Sequence, residues 1–160
     1  MNTFIKTEKP FHDPMSNNDY IIRQATVGDL SAIQELLIVS GLPTAEVAAN
    51  VSNFIVADNG KIIGVIGAHY CGTKVLLRSF AVSFERQKSG VGWTLLQEMQ
   101  KKFNSKTVAA VYLLTNTAQE YFKRVGFYEI SYSEIPALLL SESGLDKACP
   151  CTSQCMKFLL

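Results

Sequence analysis

The segment Arg86-Gln87-Lys88-Ser89-Gly90-Val91-Gly92-Trp93 joins a run with strand character to a run with helix character. Glycines at such a junction let backbone N–H groups come close to a ligand. The first four N–H groups of a helix have no intrahelical acceptor, and the macrodipole makes that end positive. The combination suits a pyrophosphate, although two glycines that only shape a tight turn would read the same way. The Gly-Lys-Ser/Thr ending of a Walker loop is missing, as is the three-glycine spacing of the dinucleotide fingerprint.

Arg78 is the second chemically informative residue, because it interrupts Val75-Leu76-Leu77 and Ser79-Phe80-Ala81-Val82 in an apolar run of central-strand length. An Arg is rarely buried without a partner. Strict alternation puts Arg78 on the same face as Phe80 and Val82, where a guanidinium would grip a carboxylate or phosphonate in a bidentate way or pair internally with an acidic residue. The tail Cys149-Pro150-Cys151-Thr152-Ser153-Gln154-Cys155-Met156 is the third. Its Cys-x-Cys-x3-Cys spacing is not that of a zinc site, so no metal is expected. Three thiolates would suit a thiophilic metalloid, against the simpler reading of one buried Cys155 in a last strand beside two incidental thiols. His12 and His69 lack metal-spaced or triad-spaced partners and read as surface or packing residues.

The elements that must position these groups follow from patterning. Tyr20-Ile21-Ile22-Arg23 reads as a strand, and Thr26-Val27-Gly28-Asp29 as a variant capping box opening a helix with Leu30, Ile33, Leu37 and Ser40 on one face. Gly41-Leu42-Pro43 ends it, and Thr44 to Asn50 reads as a second short helix. Phe54–Ala57 and Ile62–Gly67 are β-rich runs joined through Asn59-Gly60, a strong hairpin signal, and Cys71-Gly72-Thr73 turns into Val75–Val82. Ser89 to Phe103 carries an apolar stripe of Val91, Leu95, Leu96, Met99 and Phe103. Val108–Leu114 reads as a buried strand, Thr117–Val125 as a helix with Gly126 at its C-cap, and Phe127–Ser133 and Cys155–Leu160 as the last strands. The order predicts a mixed α+β fold with an antiparallel meander and one central β-α-β crossover.

The chain has 160 residues, 15 Lys plus Arg against 14 Asp plus Glu, and 48% hydrophobic residues. That length fits a single domain, read here as residues 20–160 behind a polar leader, residues 1–19, with Met15 as an alternative start. The near-zero net charge gives no bulk attraction to nucleic acid or to an anionic membrane. Neither a membrane-spanning run nor a signal peptide is visible, and four cysteines without a disulfide framework fit a cytoplasmic protein with reduced thiols.

Gln87-x-x-Gly90-x-Gly92 resembles the acyl-CoA loop of the GCN5-related N-acetyltransferases. The same family follows its later β-α-β with a short helix closing in Gly-Phe, seen here as Asn116 to Gly126-Phe127. Order and spacing agree with the family over residues 20–133. The resemblance implies a mixed, mostly antiparallel sheet of six to seven strands, splayed between the fourth and fifth and flanked by about four helices. It also implies direct transfer of acetyl from acetyl-CoA to the primary amine of a small molecule, without an acyl-enzyme. Gln87, Lys88, Ser89, Gly90, Val91, Gly92 and Trp93 would hold the pyrophosphate. Phe80, Ala81 and Val82 would meet the acetyl and pantetheine groups through exposed backbone amides. Asn116 would lie beside the pantetheine arm, or cap the following helix. Thr44 and Glu46, in Leu42–Glu46, fall where the family builds its acceptor wall. Glu46 would orient or deprotonate the ammonium, or stay solvated at a helix start.

One departure concerns the acid. Many members place a Tyr four residues before the motif glycine, and here that position is Phe122, which has no proton to give. Tyr121 is adjacent, but one residue along a helix turns a side chain by about 100°. The alternatives are a thiolate that leaves with a proton from water or another Tyr, or a non-catalytic acyl-CoA-binding module. Leu42–Ala45, Leu77–Val82, Tyr112–Thr115 and the Cys-Pro…Cys-Met ending resemble the subgroup found in arsenic-resistance gene clusters. That implies a small amine-bearing acceptor with an anionic head group, such as an organoarsenical or herbicide-like amino acid. A second copy of the chain, as a homodimer, is the other expected partner.

Overall fold

The structure, a computed structural model, describes residues 2–4, 19–148 and 153–160. His12, most of the expected leader, Cys149 and Cys151 lie outside these residues. The elements are β1 (Ile21–Gln24), α1 (Leu30–Val39), β2 (Phe54–Asp58), β3 (Ile62–Cys71), β4 (Lys74–Val82), α2 (Val91–Ser105), β5 (Ala110–Thr115), α3 (Gln119–Arg124), β6 (Tyr128–Ile130), α4 (Ala137–Ser143), α5 (Leu145–Ala148) and β7 (Gln154–Leu159). They build one seven-stranded sheet in the order β1-β2-β3-β4-β5-β7-β6. Every neighbouring pair is antiparallel except β4–β5, which α2 joins as a parallel crossover. This is the mixed, mostly antiparallel architecture expected.

Each sheet face is covered by the helices whose apolar stripes fit it. Val91, Leu95, Leu96, Met99 and Phe103 of α2 and Phe122 of α3 pack on one face against Ile66, Ala68, Val75 and Leu77. On the other, Ile33 and Leu37 of α1 meet Val56, Val65 and Ala81, while Leu139 and Leu140 of α4 meet Leu76 and Tyr112. Residues of α4 are also pinned to the sheet by polar contacts: His69 Nε2 lies 3.1 Å from Glu142 Oε2, and Arg78 donates to the Ser143 carbonyl at 2.7 Å.

Three expectations are corrected. Thr44–Asn50 is not a helix: Glu46 has φ +61°, which a right-handed helix excludes, and only a kinked 3₁₀ segment, Ala48–Asn53, follows. Helix α2 begins at Val91 rather than Ser89, because Gly90 stands in the left-handed region with φ +93°. Residues 2–4 are not loose either. Phe4 is 3% exposed and stacks on Phe127 with ring centroids 5.4 Å apart. The buried Gln100 accepts the Phe4 N–H at 3.1 Å and donates to the Asn2 carbonyl at 3.2 Å. An aromatic side chain in a polar stretch gives no periodicity to read, yet it fills a gap between α2 and β7.

The capping box forms as expected and gains a cation. Asp29 accepts the Thr26 N–H at 2.8 Å and both ends of the Arg23 guanidinium at 2.8 Å, while Arg23 Nε reaches Asp58 at 2.9 Å. The Arg23 hydrogen bonds, then the Thr26 donors, hold the Asp29 carboxyl well below the usual carboxylate range. A carboxylate with a depressed folded pKa stabilises above its unfolded pKa of about 3.9, and that contribution is lost as pH falls toward the folded value. Asp29→Asn should therefore cost about 2 kcal/mol near neutrality. In urea titrations run as a function of pH, the gap to wild type should hold down to about pH 4 and close at lower pH.

Candidate active site

Ladder pairing between β4 and β5 stops early. Lys74, Val75 and Leu76 pair with Ala110, Val111 and Tyr112, and the later residues of the two strands do not pair with each other. Both strands stay paired on their outer edges, β4 to β3 as far as Val82 and β5 to β7 as far as Thr115. The inner edges diverge and open a cavity of about 1210 Å³. Its walls are Leu77–Gln87 apart from Arg86, Leu113–Ala118, Phe122, Leu36 with Val39–Ala45 from the end of α1, Leu145 and Ser153.

A β-bulge sits where the strands part. Gly67 pairs with Arg78 and Val65 with Ala81, so Ile66 on β3 faces two residues, Ser79 and Phe80, on β4. Ser79 takes the left-handed conformation with φ +54°. The extra residue reverses the facing of everything after it. Val75, Leu77, Phe80 and Val82 all pack on the α2 side, whereas Leu76 and Ala81 face α4 and α1. The expected common face of Arg78 with Phe80 and Val82 is therefore wrong. The cavity has an α2/α3 side, with Phe80, Val82 and Phe122, and an α1/α4 side, with Arg78.

Arg78 is 6% exposed. Besides the Ser143 carbonyl it donates to the Ala45 carbonyl, and its Nε donates to Ser79 Oγ at 3.2 Å. Its side chain thus ties three cavity-wall segments together. Thr44 lines the same wall. Glu46 does not: it is exposed, its Cγ lies against Gly144, and its carbonyl accepts Asn50 Nδ2 at 2.8 Å.

At the other end, Gln87 lines the cavity and donates to the Val82 carbonyl at 3.2 Å, and Ser89 Oγ donates to the Arg86 carbonyl. Lys88 is exposed with φ +62°. Val91 is wholly buried and Trp93 packs partly against the core, and neither lines the cavity. A Cβ on Gly92 would sit 3.3 Å from the Phe80 ring, which is the packing reason for that glycine. Asn116 lines the cavity and is not the cap of α3: the N-cap is Ala118, whose N–H goes to Thr115 Oγ1 at 3.0 Å.

Phe122 forms part of the wall in an aromatic group with Phe80 and Phe127 at centroid distances of 6.0 and 5.4 Å. Tyr121 is outside the wall, its hydroxyl buried without a hydrogen-bond partner among the described residues. Burial pushes that phenol up to about 12. Cys155 is buried in β7 with Sγ 3.8 Å from the Ser153 carbonyl. The residues missed in the sequence are Ser79, Ser83 to Glu85 and Ser153. A bulge formed without glycine leaves no mark on a hydrophobic pattern.

A parallel crossover whose strands separate at their C-terminal ends is a ligand-binding crevice of open sheets, and comparison with known proteins says which class of protein this one is. The acetyltransferase (GNAT) domain model matches residues 50–129, half of the chain. An uncharacterized N-acetyltransferase of Chlorobaculum tepidum, CT2212, is 28% identical over 74% of this chain and 81% of its own. N-acetylglutamate synthase from Neisseria gonorrhoeae, solved with coenzyme A and N-acetyl-glutamate, superposes with a TM-score of 0.76 at 22% identity over 88% of this chain. The chain spans only 35% of that synthase. Rv2747 from Mycobacterium tuberculosis, solved with CoA, gives a TM-score of 0.73 at 22% identity over 88% of this chain and 99% of its own. The chain belongs to the GNAT acetyltransferases, N-acetyltransferases that take their acetyl group from acetyl-CoA.

An unpaired buried hydroxyl is a cost that Phe at the same position avoids. Tyr121→Phe should keep or raise stability, by up to about 1 kcal/mol, and leave acetyl transfer unchanged. A thermal midpoint that falls instead would show that the hydroxyl has a partner, and a lost turnover would make it a catalytic group.

Proposed function

We propose that the protein transfers the acetyl group of acetyl-CoA directly to the primary amine of a small anionic molecule, such as an amino acid or an analogue of one. The observation that carries this reading is the cavity between β4 and β5, with Gln87, in the loop that leads into α2, at one end and the buried Arg78 guanidinium on its α1/α4 side. Gln87 to Trp93 would supply amides to the pyrophosphate, and the backbone of Phe80, Ala81 and Val82 would polarise the thioester carbonyl. Asn116 and Phe122 would flank the pantetheine arm. The acceptor would enter from the α1/α4 side, past Thr44 and Arg78.

In this mechanism the neutral amine nitrogen attacks the thioester carbon, the carbonyl oxygen takes the developing charge, the nitrogen gives up one proton to water, and the C–S bond breaks to leave the amide and CoA thiolate. Phe122 gives no proton, so the thiolate takes one from water; a thiol pKa of about 8.5 makes that leaving group tolerable without an acid. The sequence likeness to arsenic-resistance clusters supports an anionic organoarsenical or herbicide-like amino acid as the acceptor, and a cytoplasmic resistance role. Phe122 also favours a second reading, a module that binds acyl-CoA without turning it over.

Release of CoA thiol across a panel of small amines separates the two. Turnover of an anionic amine supports the first, and tight acetyl-CoA binding with no turnover on any amine supports the second. In either case Gly90→Ala should weaken acetyl-CoA about tenfold in calorimetry while the protein stays folded. A left-handed residue with a Cβ costs about 1–2 kcal/mol, and 1.4 kcal/mol is a factor of ten.

A further inference from the structure

The Arg78 guanidinium does not present its two-pronged end to the cavity: one terminal nitrogen donates to the Ser143 carbonyl and the other to the Ala45 carbonyl. What it offers the cavity is Nε, 3.2 Å from Ser79 Oγ. Ser79 lines the cavity, is half-buried, and stands at the bulge in a conformation that costs a side chain about 1–2 kcal/mol. Non-glycine residues held in that region concentrate at ligand clamps, where surrounding contacts over-determine them. A glycine here would relieve the strain and keep the bulge, but it would have no hydroxyl.

We infer that Ser79 is the anion-recognising residue of the acceptor site, its hydroxyl donating to an anionic oxygen of the acceptor and carrying the charge of Arg78 to it. An Oγ that accepts from a cation is a better O–H donor, because successive hydrogen bonds polarise one another. A hydrogen bond between that donor and a carboxylate is charge-assisted and short. In this arrangement a buried Arg whose terminal nitrogens donate to main-chain carbonyls acts on the acceptor through the serine. Ser79 on this view specifies the acceptor and is a positioning group for the reaction. The inference rests on the acceptor-side reading proposed above, and it deepens that reading by naming the contact.

The test is equilibrium binding, which needs no turnover. CoA-loaded protein is titrated calorimetrically with a panel of L-amino acids and with the carboxamide of each. For wild type, at least one acid should bind about tenfold or more tightly than its carboxamide, the size expected for a hydrogen bond to a charged group. Ser79→Gly should abolish that preference, keep CoA affinity within about twofold and give an equal or higher thermal midpoint, since glycine suits the backbone. Ser79→Asn, which tolerates the left-handed region and keeps a donor, should retain part of the preference. The inference fails if no acid is preferred over its carboxamide, or if the preference survives in Ser79→Gly. Absence of CoA release with every amine would instead count against the transfer reading, which this binding contrast does not use.

Discussion

The structure turns on two strands that must part inside a sheet without leaving their backbones unsatisfied. An unpaired buried N–H or C=O costs as much as a lost hydrogen bond, so interior strands rarely separate. Here each strand keeps its outer partner: β3 follows β4 to Val82, and β7 follows β5 to Thr115. Only the inner edges, after Leu76 and Tyr112, face open space. A polar ligand with amides and a carbonyl of its own can replace the missing ladder, and acetyl-CoA brings them. The parallel pairing matters, because the crossover through α2 puts a helix N-terminus at the end where β4 leaves the sheet.

The same geometry explains how a chain with a net charge of +1 handles an anionic cosubstrate. Among the described wall residues only Arg78 and Glu85 carry formal charge. A wall with so little formal charge leaves fixed partial charges, the main-chain amides and carbonyls along the diverging strands, as most of its polarity. Such dipoles act at short range, and in a low-dielectric site they are worth more than mobile surface lysines. The bulge divides the work. By turning Phe80 to the α2 side and leaving Arg78 on the α4 side, it gives one strand an aromatic wall on one side of the cavity and a cation on the other.

How much of this the sequence shows depends on whether a feature is local. The Asn59-Gly60 hairpin, the Thr26–Asp29 capping box, the stripe of α2 and the glycine motif each act within a few residues, and each stands where patterning puts it. The Gln87 end of the cavity is legible for the same reason. The Arg78 end is not. Ser79 enters the left-handed region without being Gly or Asn, and the register shift it causes exists only relative to β3. Glu46 does the same in a segment of good helix formers, because Val47 must be buried against α1 and the Ala45 carbonyl must reach Arg78. Phe4 sits in a polar stretch, and its pocket is made by Phe127 and Phe158, more than a hundred residues away.

Two of the left-handed non-glycine positions, Ser79 and Glu46, lie beside contacts of Arg78. Arg78 binds the Ala45 carbonyl beside Glu46 and the hydroxyl of Ser79, and its third contact, Ser143, adjoins Gly144, which packs against the Glu46 side chain. A flexible charged side chain usually loses entropy when buried, and its charge is expensive to desolvate. A guanidinium offsets that cost by having five donors in a fixed plane, so one residue can hold three backbone segments at set angles. A lysine could not, since its ammonium is a point charge on a flexible stem. The arrangement places the strained Ser79 and the residue that holds it within the same wall. The shape and the stability of this end of the cavity are thus set by the same hydrogen bonds, and a change that relaxes one alters the other.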